Sequence, residues 1–176
     1  MSGGGAPGLA GSGLRPSGQP WRVAVVASQW HQEITDALVA GAKRVLERSG
    51  AQFCVVRVPG AFELPLGAQW ALTGGNRPDH SYSFAYMDGV VALGVVIRGG
   101  TPHFEYVCEA ATSGLARVAL DTAKPVGFGL LTCDNEAEAV ARAGLEGSSE
   151  DKGAEAAEAV LAMLGLSVRP LSGPAR

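Results

Sequence analysis

"GVVIRGGTPHFEYV", residues 94–107, is the stretch on which the fold turns. It closes a longer apolar run, Val90, Val91, Ala92, Leu93, Val95, Val96 and Ile97, which is rich in β-branched residues and suits a strand buried on both faces. The run stops at Arg98. Gly99 and Gly100 permit a tight turn, Thr101 is a good N-cap, Pro102 fits the first helical position and Glu105 suits a first turn. Phe104, Val107, Cys108, Ala111, Leu115 and Val118 then recur at spacings of three and four, an apolar stripe of about four turns. The unit is strand, glycine turn, helix. A helix N-terminus offers free N–H groups and the positive end of its dipole, so this turn can hold an anion with His103 beside it.

The same alternation extends in both directions. "WRVAVVAS" (21–28) reads as a strand, and Ile34, Ala37, Leu38, Gly41, Val45 and Leu46 carry helical period up to a stop at Gly50. "AQFCVVRV" (51–58) is a second strand, "PGAFELP" (59–65) a turn into a short helix, "PVGFGLLT" (125–132) a further strand, "NEAEAVARAG" (135–144) a short helix and "DKGAEAAEAVLAML" (151–164) a final one. Such strands, too apolar to face water, predict an α/β fold: a three-layer α/β/α sandwich with a mostly parallel, flavodoxin-like sheet. Ligands in such sheets bind at the carboxyl ends of strands, which directs attention to the loops starting at Ser28, Pro59, Arg98 and Cys133. Residues 1–20 are mostly Gly, Ser, Pro and Ala and are expected to form a flexible tail outside a single domain over 21–166; a second loose tail is expected over 167–176. Residues 73–88 read as an exposed excursion.

Composition narrows the function. A chain of 176 residues that is 47% hydrophobic supports one sizeable core. A net charge of −3 without a basic run excludes an electrostatic footprint for nucleic acid. Cys54, Cys108 and Cys133 are odd in number and far apart in apolar patterns, which suggests neither a disulfide framework nor a zinc site and points to the cytoplasm. No apolar stretch is long enough for a membrane span, and no charged-then-apolar signal opens the chain.

Each candidate residue also has an ordinary reading. Trp30 in "SQWHQE" could stack on a planar ligand or pack its own loop; Glu63 could face a ligand or favour a helix dipole; His103 could be a solvated first-turn residue. His31 and His80 read as surface residues, and Arg142 and Lys152 as solvated charges. "GVVIRGG" lacks the spacing of the dinucleotide fingerprint and of the P-loop, so neither nicotinamide nor ATP binding is indicated.

Taken in order, "ASQWH", "PGAFELP", "GVVIRGGTPHFEYV", "PVGFGLLT", "ARAG" and "EDKGAEAA" make the chain strongly resemble the 6,7-dimethyl-8-ribityllumazine synthases, from about Val23 to Leu164. The resemblance implies a condensation of 5-amino-6-(D-ribitylamino)uracil with 3,4-dihydroxy-2-butanone 4-phosphate to give the lumazine, phosphate and water, the penultimate step of riboflavin synthesis, with no metal or organic cofactor. By motif, Trp30 would stack on the pyrimidine, and Ala61, Phe62 and Glu63 would hold the ribityl chain. Val95, Val96 and Ile97 would line the pyrimidine pocket. Gly100 and Thr101 would give amides to the phosphate, and His103 would transfer protons. Phe128, Arg142 and Lys152 would come from a neighbouring subunit.

The resemblance also implies a homo-oligomer built from pentamers, some of which close into a sixty-subunit shell, and makes riboflavin synthase a candidate partner. The connection "AGLEGSSEDKG" (143–153) is long and carries Glu146, Glu150 and Asp151, like charges that a threefold axis would bring together, which favours an isolated pentamer. Two other classes stand beside the enzyme. A carrier of a flavin-like ligand would need neither His103 nor Arg142, and a receiver-type signalling domain would need an acidic cluster where "ASQWH" stands.

Overall fold

The computed structural model describes residues 11–75 and 86–166. Four strands, β1 (Arg22–Ser28), β2 (Gln52–Val58), β3 (Gly89–Ile97) and β4 (Val126–Cys133), form one parallel sheet in the order β2-β1-β3-β4. The expected α/β sandwich is therefore present. Its helices are α1 (Gln32–Ser49), α2 (Leu64–Thr73), α3 (His103–Thr122), the short α4 (Glu136–Val140) and α5 (Lys152–Gly165), with a 3-10 turn at Ala61–Glu63 ahead of α2.

Strand side chains alternate between two cores. Val23, Val25, Ala27, Val91, Leu93 and Leu131 point to one face, where Ile34, Leu38 and Leu46 of α1 and Val160 and Leu161 of α5 cover them. Ala24, Val26, Val90, Ala92 and Leu130 point to the other, under Leu64, Ala68 and Leu72 of α2 and Ala111, Leu115 and Val118 of α3. Strands with both faces in a core read as continuous apolar runs, which is why β1 and β3 are so legible.

The chain runs from β1 to β2 on one side and then returns to place β3 on the other side of β1. The connection after β1 enters α1 on one face and that after β3 enters α3 on the opposite face, so a crevice opens between them at the carboxyl ends of the strands.

Two local expectations are corrected. Thr101 does not cap α3: the helix starts at His103, Pro102 occupies the cap position at φ −63°, and no side chain caps it. The helix expected over 135–144 stops at Val140, because residues 148–150 fold back on it. Ser149 N and Glu150 N donate to the Ala141 carbonyl at 3.0 and 3.1 Å, and Ser148 Oγ to that of Val140, so the carbonyls at the helix end are satisfied by the connection. Residues 11–20 contact the rest of the chain: Gly13 N donates to Ser49 O at 3.1 Å, Trp21 N to Gly13 O at 2.8 Å, and Arg15 pairs with Asp88 at 2.5 Å while covering the Trp21 ring. Residues 1–10, the 167–176 tail and most of the 73–88 excursion lie outside the described residues.

Candidate active site

The crevice is a cleft of about 330 Å³ lined by Trp30, His31, Gly60, Ala61, Phe62, Glu63, Val95, Val96, Ile97, His103 and Val107. Each wall comes from a different strand end. Trp30 and His31 follow β1, the Gly60–Glu63 segment follows β2, and β3 supplies its last three residues before the turn to His103.

The local sequence explains how these side chains are held. "PGAFELP" cannot continue β2, since Pro59 lacks an amide donor, and Pro65 is accepted in the first turn of α2, so the intervening residues form the 3-10 turn. Ala61 is buried and anchors it, leaving Phe62 63% exposed toward the cleft. Gly60 permits a close approach: a Cβ there would lie 3.2 Å from Glu63 Oε2 and 3.6 Å from Trp30 Cδ1, so indole and carboxylate meet over the glycine backbone. Glu63 occupies the cap position of α2 but makes no side-chain cap hydrogen bond. Trp30 is 69% exposed, which argues against its packing its own loop. One face of the indole is available for stacking.

On the other wall Val95 is buried, and Val96 and Ile97 are half-buried, giving an apolar floor. His103 is exposed at the first position of α3, with Val107 one turn later on the same side. Gly100 and Thr101, exposed in the turn between Ile97 and His103, are not among the residues that line the cleft. The arrangement has a flat aromatic, a carboxylate, a hydrophobic floor, and an imidazole beside helix-terminal amides. It suits a planar polar heterocycle with a hydroxylated chain at one end and an anion at the other.

Eight of the candidate residues therefore share one cleft: Trp30, Ala61, Phe62, Glu63, Val95, Val96, Ile97 and His103. Phe128, Arg142 and Lys152 do not line it. Phe128 is 47% exposed on β4, at the edge of the described sheet; Arg142 donates to the Glu138 carbonyl at 2.8 Å; Lys152 pairs with Glu150 and Glu155 at 2.7 Å each.

His31, read from sequence as a surface residue, stands in the cleft wall. It adopts a left-handed backbone (φ 52°, ψ 61°), rare outside glycine, while its carbonyl accepts from Thr35 N at 3.0 Å and from Thr35 Oγ1. This residue is also the N-cap of α1, so the left-handed turn sets both the start of the helix and the cleft edge. Hydrophobic periodicity carries no trace of it; the only signal is that histidine tolerates this region better than most residues. The three cysteines are unpaired thiols whose pKa burial pushes up, so none is an activated nucleophile. Among the described residues no group of His, Cys, Asp or Glu is placed to hold a metal ion.

Comparison with known proteins identifies the family. The family model for 6,7-dimethyl-8-ribityllumazine synthase matches residues 20–167. A protein of that name from Leifsonia xyli is 56% identical over 173 residues, covering 98% of this chain and 100% of its own. Another from Kineococcus radiotolerans is 54% identical, covering 97% and 99%, and one from Streptomyces coelicolor is 51% identical over the whole of both chains. With its parallel sheet, its cleft at the strand ends and this similarity over nearly its full length, the chain belongs to the 6,7-dimethyl-8-ribityllumazine synthase family.

Proposed function

We propose that the cleft between β1, β2 and β3 is where this chain carries out its family's condensation. The chain is a transferase that joins 5-amino-6-(D-ribitylamino)uracil to 3,4-dihydroxy-2-butanone 4-phosphate, giving 6,7-dimethyl-8-ribityllumazine, phosphate and water in riboflavin biosynthesis. The observation that carries the placement is the convergence of Trp30, Glu63 and His103, from three separate strand ends, on one cavity.

In this reading Trp30 stacks on the pyrimidine above the Val95–Ile97 floor, and Ala61, Phe62 and Glu63 hold the ribityl chain. The amides of Gly100 and Thr101, in the turn just ahead of α3, receive the phosphate. The 5-amino group attacks the ketone to form a Schiff base with loss of water, elimination of phosphate leaves an enol that tautomerises to a ketone, and the ribitylamino nitrogen attacks that carbonyl, closing the ring with loss of a second water. Each step moves a proton, and His103, an imidazole in the cleft wall two residues from the amides assigned to the phosphate, is the group that carries it. Holding both substrates in one cleft supplies much of the acceleration by proximity. Incubating the purified protein with both substrates and a chelator tests the reading: lumazine absorbance and inorganic phosphate should rise together, and absence of both overturns it.

Phe128, Arg142 and Lys152 are assigned to the cleft of a neighbouring subunit. Supporting this, Leu66 and Trp70 of α2, Tyr106 and Leu120 of α3, and Phe128 are all exposed, apolar surface that a monomer would leave in water. Arg142→Ala is expected to weaken binding of the butanone phosphate by about 1.5–3 kcal/mol, the loss of one charge-assisted contact. Calorimetric titration of each substrate checks it: a loss confined to the pyrimidine refutes the assignment.

The assembly we favour is the pentamer. Asp151 pairs with Arg44 at 2.5 Å and Glu150 with Lys152 at 2.7 Å, so two of the three carboxylates in the 143–153 connection are neutralised within the chain, and the expected repulsion at a threefold contact falls mainly to Glu146. The connection is also folded on itself, with Gly144 N on Glu150 O at 3.0 Å and Lys152 N on Arg142 O at 3.0 Å, and it is larger than a tight turn. Light scattering after gel filtration should give about five chains of 18.0 kDa; a mass near sixty chains refutes the pentamer. Riboflavin synthase, which would consume the lumazine, is the partner this reading nominates.

A further inference from the structure

Arg98 lies one residue beyond β3 and touches both ends of the turn that leads to His103. Its backbone N donates to Cys133 O at 2.9 Å, extending the β3–β4 ladder by one residue. Its side chain then reaches two ways. Nε donates to Asp134 Oδ1 at 2.7 Å, just past β4, and a terminal nitrogen donates to Glu105 in the first turn of α3. The guanidinium centre also lies 4.2 Å from the ring centroid of Phe104, the second residue of α3.

Between these ties the turn is unsupported. A Cβ on Gly99 or Gly100 would meet no described atom within 4 Å, so neither glycine is packed against the described residues. The shape of residues 99–102 is therefore set by where the turn is anchored, at Arg98 on one side and at Phe104 and Glu105 on the other. One planar cation fastens all of these to the end of β4, a task that needs donors in two directions and a flat face.

Charge separates this role from ligand binding. Asp134 and Glu105 bring two negative charges to the single positive charge of Arg98, so the guanidinium is already spoken for and offers no net attraction to a phosphate. The hydrogen bond from Arg98 holds the Glu105 carboxyl below its ordinary value, consistent with an ion pair formed at neutral pH.

We infer that Arg98 is a positioning residue for the condensation: through Asp134, Glu105 and Phe104 it fixes the 99–102 turn and with it the phosphate-facing amides and His103. This rests on the cleft being the site of that reaction. Loss of the clamp should loosen the phosphate end of the cleft and leave the Trp30 end unchanged.

Arg98→Lys is the informative variant, because lysine keeps the charge but its single ammonium cannot span both carboxylates and lie flat on Phe104. It is expected to raise KM for the butanone phosphate about tenfold while KM for the pyrimidine stays within about twofold, and to weaken binding of inorganic phosphate alone by a similar factor. Glu105→Gln, which keeps an acceptor for Arg98 and removes the charge, should restrict the effect to a few-fold rise in the same constant. These exposed pairs contribute little to stability, so the melting temperature should move by no more than a few degrees, and the kinetics then report on the folded protein. Wild-type constants in Arg98→Lys, or an equal rise for both substrates, overturn the inference. Should the wild-type protein form no lumazine, the placement of the reaction fails, while unequal binding of inorganic phosphate by wild type and Arg98→Lys still decides the clamp.

Discussion

His103→Ala is expected to lower turnover by about 10- to 10⁴-fold, the range for removing a general acid or base, with the fold intact. The two halves of this expectation have separate causes. His103 is exposed at the first position of α3 and belongs to neither hydrophobic core, so its loss opens no cavity and leaves no buried donor unpaired. The melting temperature should stay within about 2 °C of wild type. The chemical loss follows from the reaction, in which Schiff base formation, elimination and ring closure all move protons near neutral pH. Steady-state lumazine formation checks it, with KM measured for both substrates. A fall in turnover at nearly constant KM supports proton transfer, whereas a change in KM alone makes His103 a phosphate contact. Unchanged turnover returns it to a solvated residue.

Legibility in the sequence tracked where side chains carry the structural information. β1 and β3 are buried on both faces, so their apolar runs announce a covered parallel sheet before any topology is known. The stripe from Ala111 to Val118 shows α3 equally well, because a helix on one face of a sheet must repeat every three or four residues. The cleft was legible through motif order: "PGAFELP" and "IRGGTPHFEYV" sit at the ends of β2 and β3, and the topology brings them beside Trp30.

What stayed hidden is carried by backbone. Residues 11–20 carry little apolar pattern, yet main-chain bonds of Gly13 and Trp21 join them to the domain, at a place where a Cβ on Gly13 would lie 2.4 Å from Ser49 O. His31 is placed by a left-handed φ, and Thr101 does not cap α3 because Pro102 takes that place with helical φ. Phe128, Arg142 and Lys152 are proposed to serve a neighbouring subunit's cleft, and contact between subunits is something no pattern along a single chain encodes.

Gly153→Ala is expected to destabilise the fold by about 3 kcal/mol, near the upper end of overpacking costs, and to lower the melting temperature by about 6–12 °C. Gly153 is the second residue of α5, which crosses α1 so closely that a Cβ there would lie 2.0 Å from the Leu38 carbonyl oxygen and 2.7 Å from its carbon. Both obstacles are backbone inside a buried helix, so no side chain can rotate away. The helices must separate. Ala156, Ala157 and Val160, all buried against the first core, would be partly withdrawn with α5. The consequence extends to function, because the same end of α5 carries Lys152 and the Asp151 cap, whose carboxylate accepts from Ala154 N at 2.9 Å and pairs with Arg44. Displacing this end moves Lys152 from the place assigned to it beside Arg142. Thermal unfolding and kinetics on one preparation separate the effects. A lowered melting temperature with raised KM supports the coupling of α5 to the neighbouring cleft, and a wild-type melting temperature would show that α1 and α5 tolerate the extra methyl.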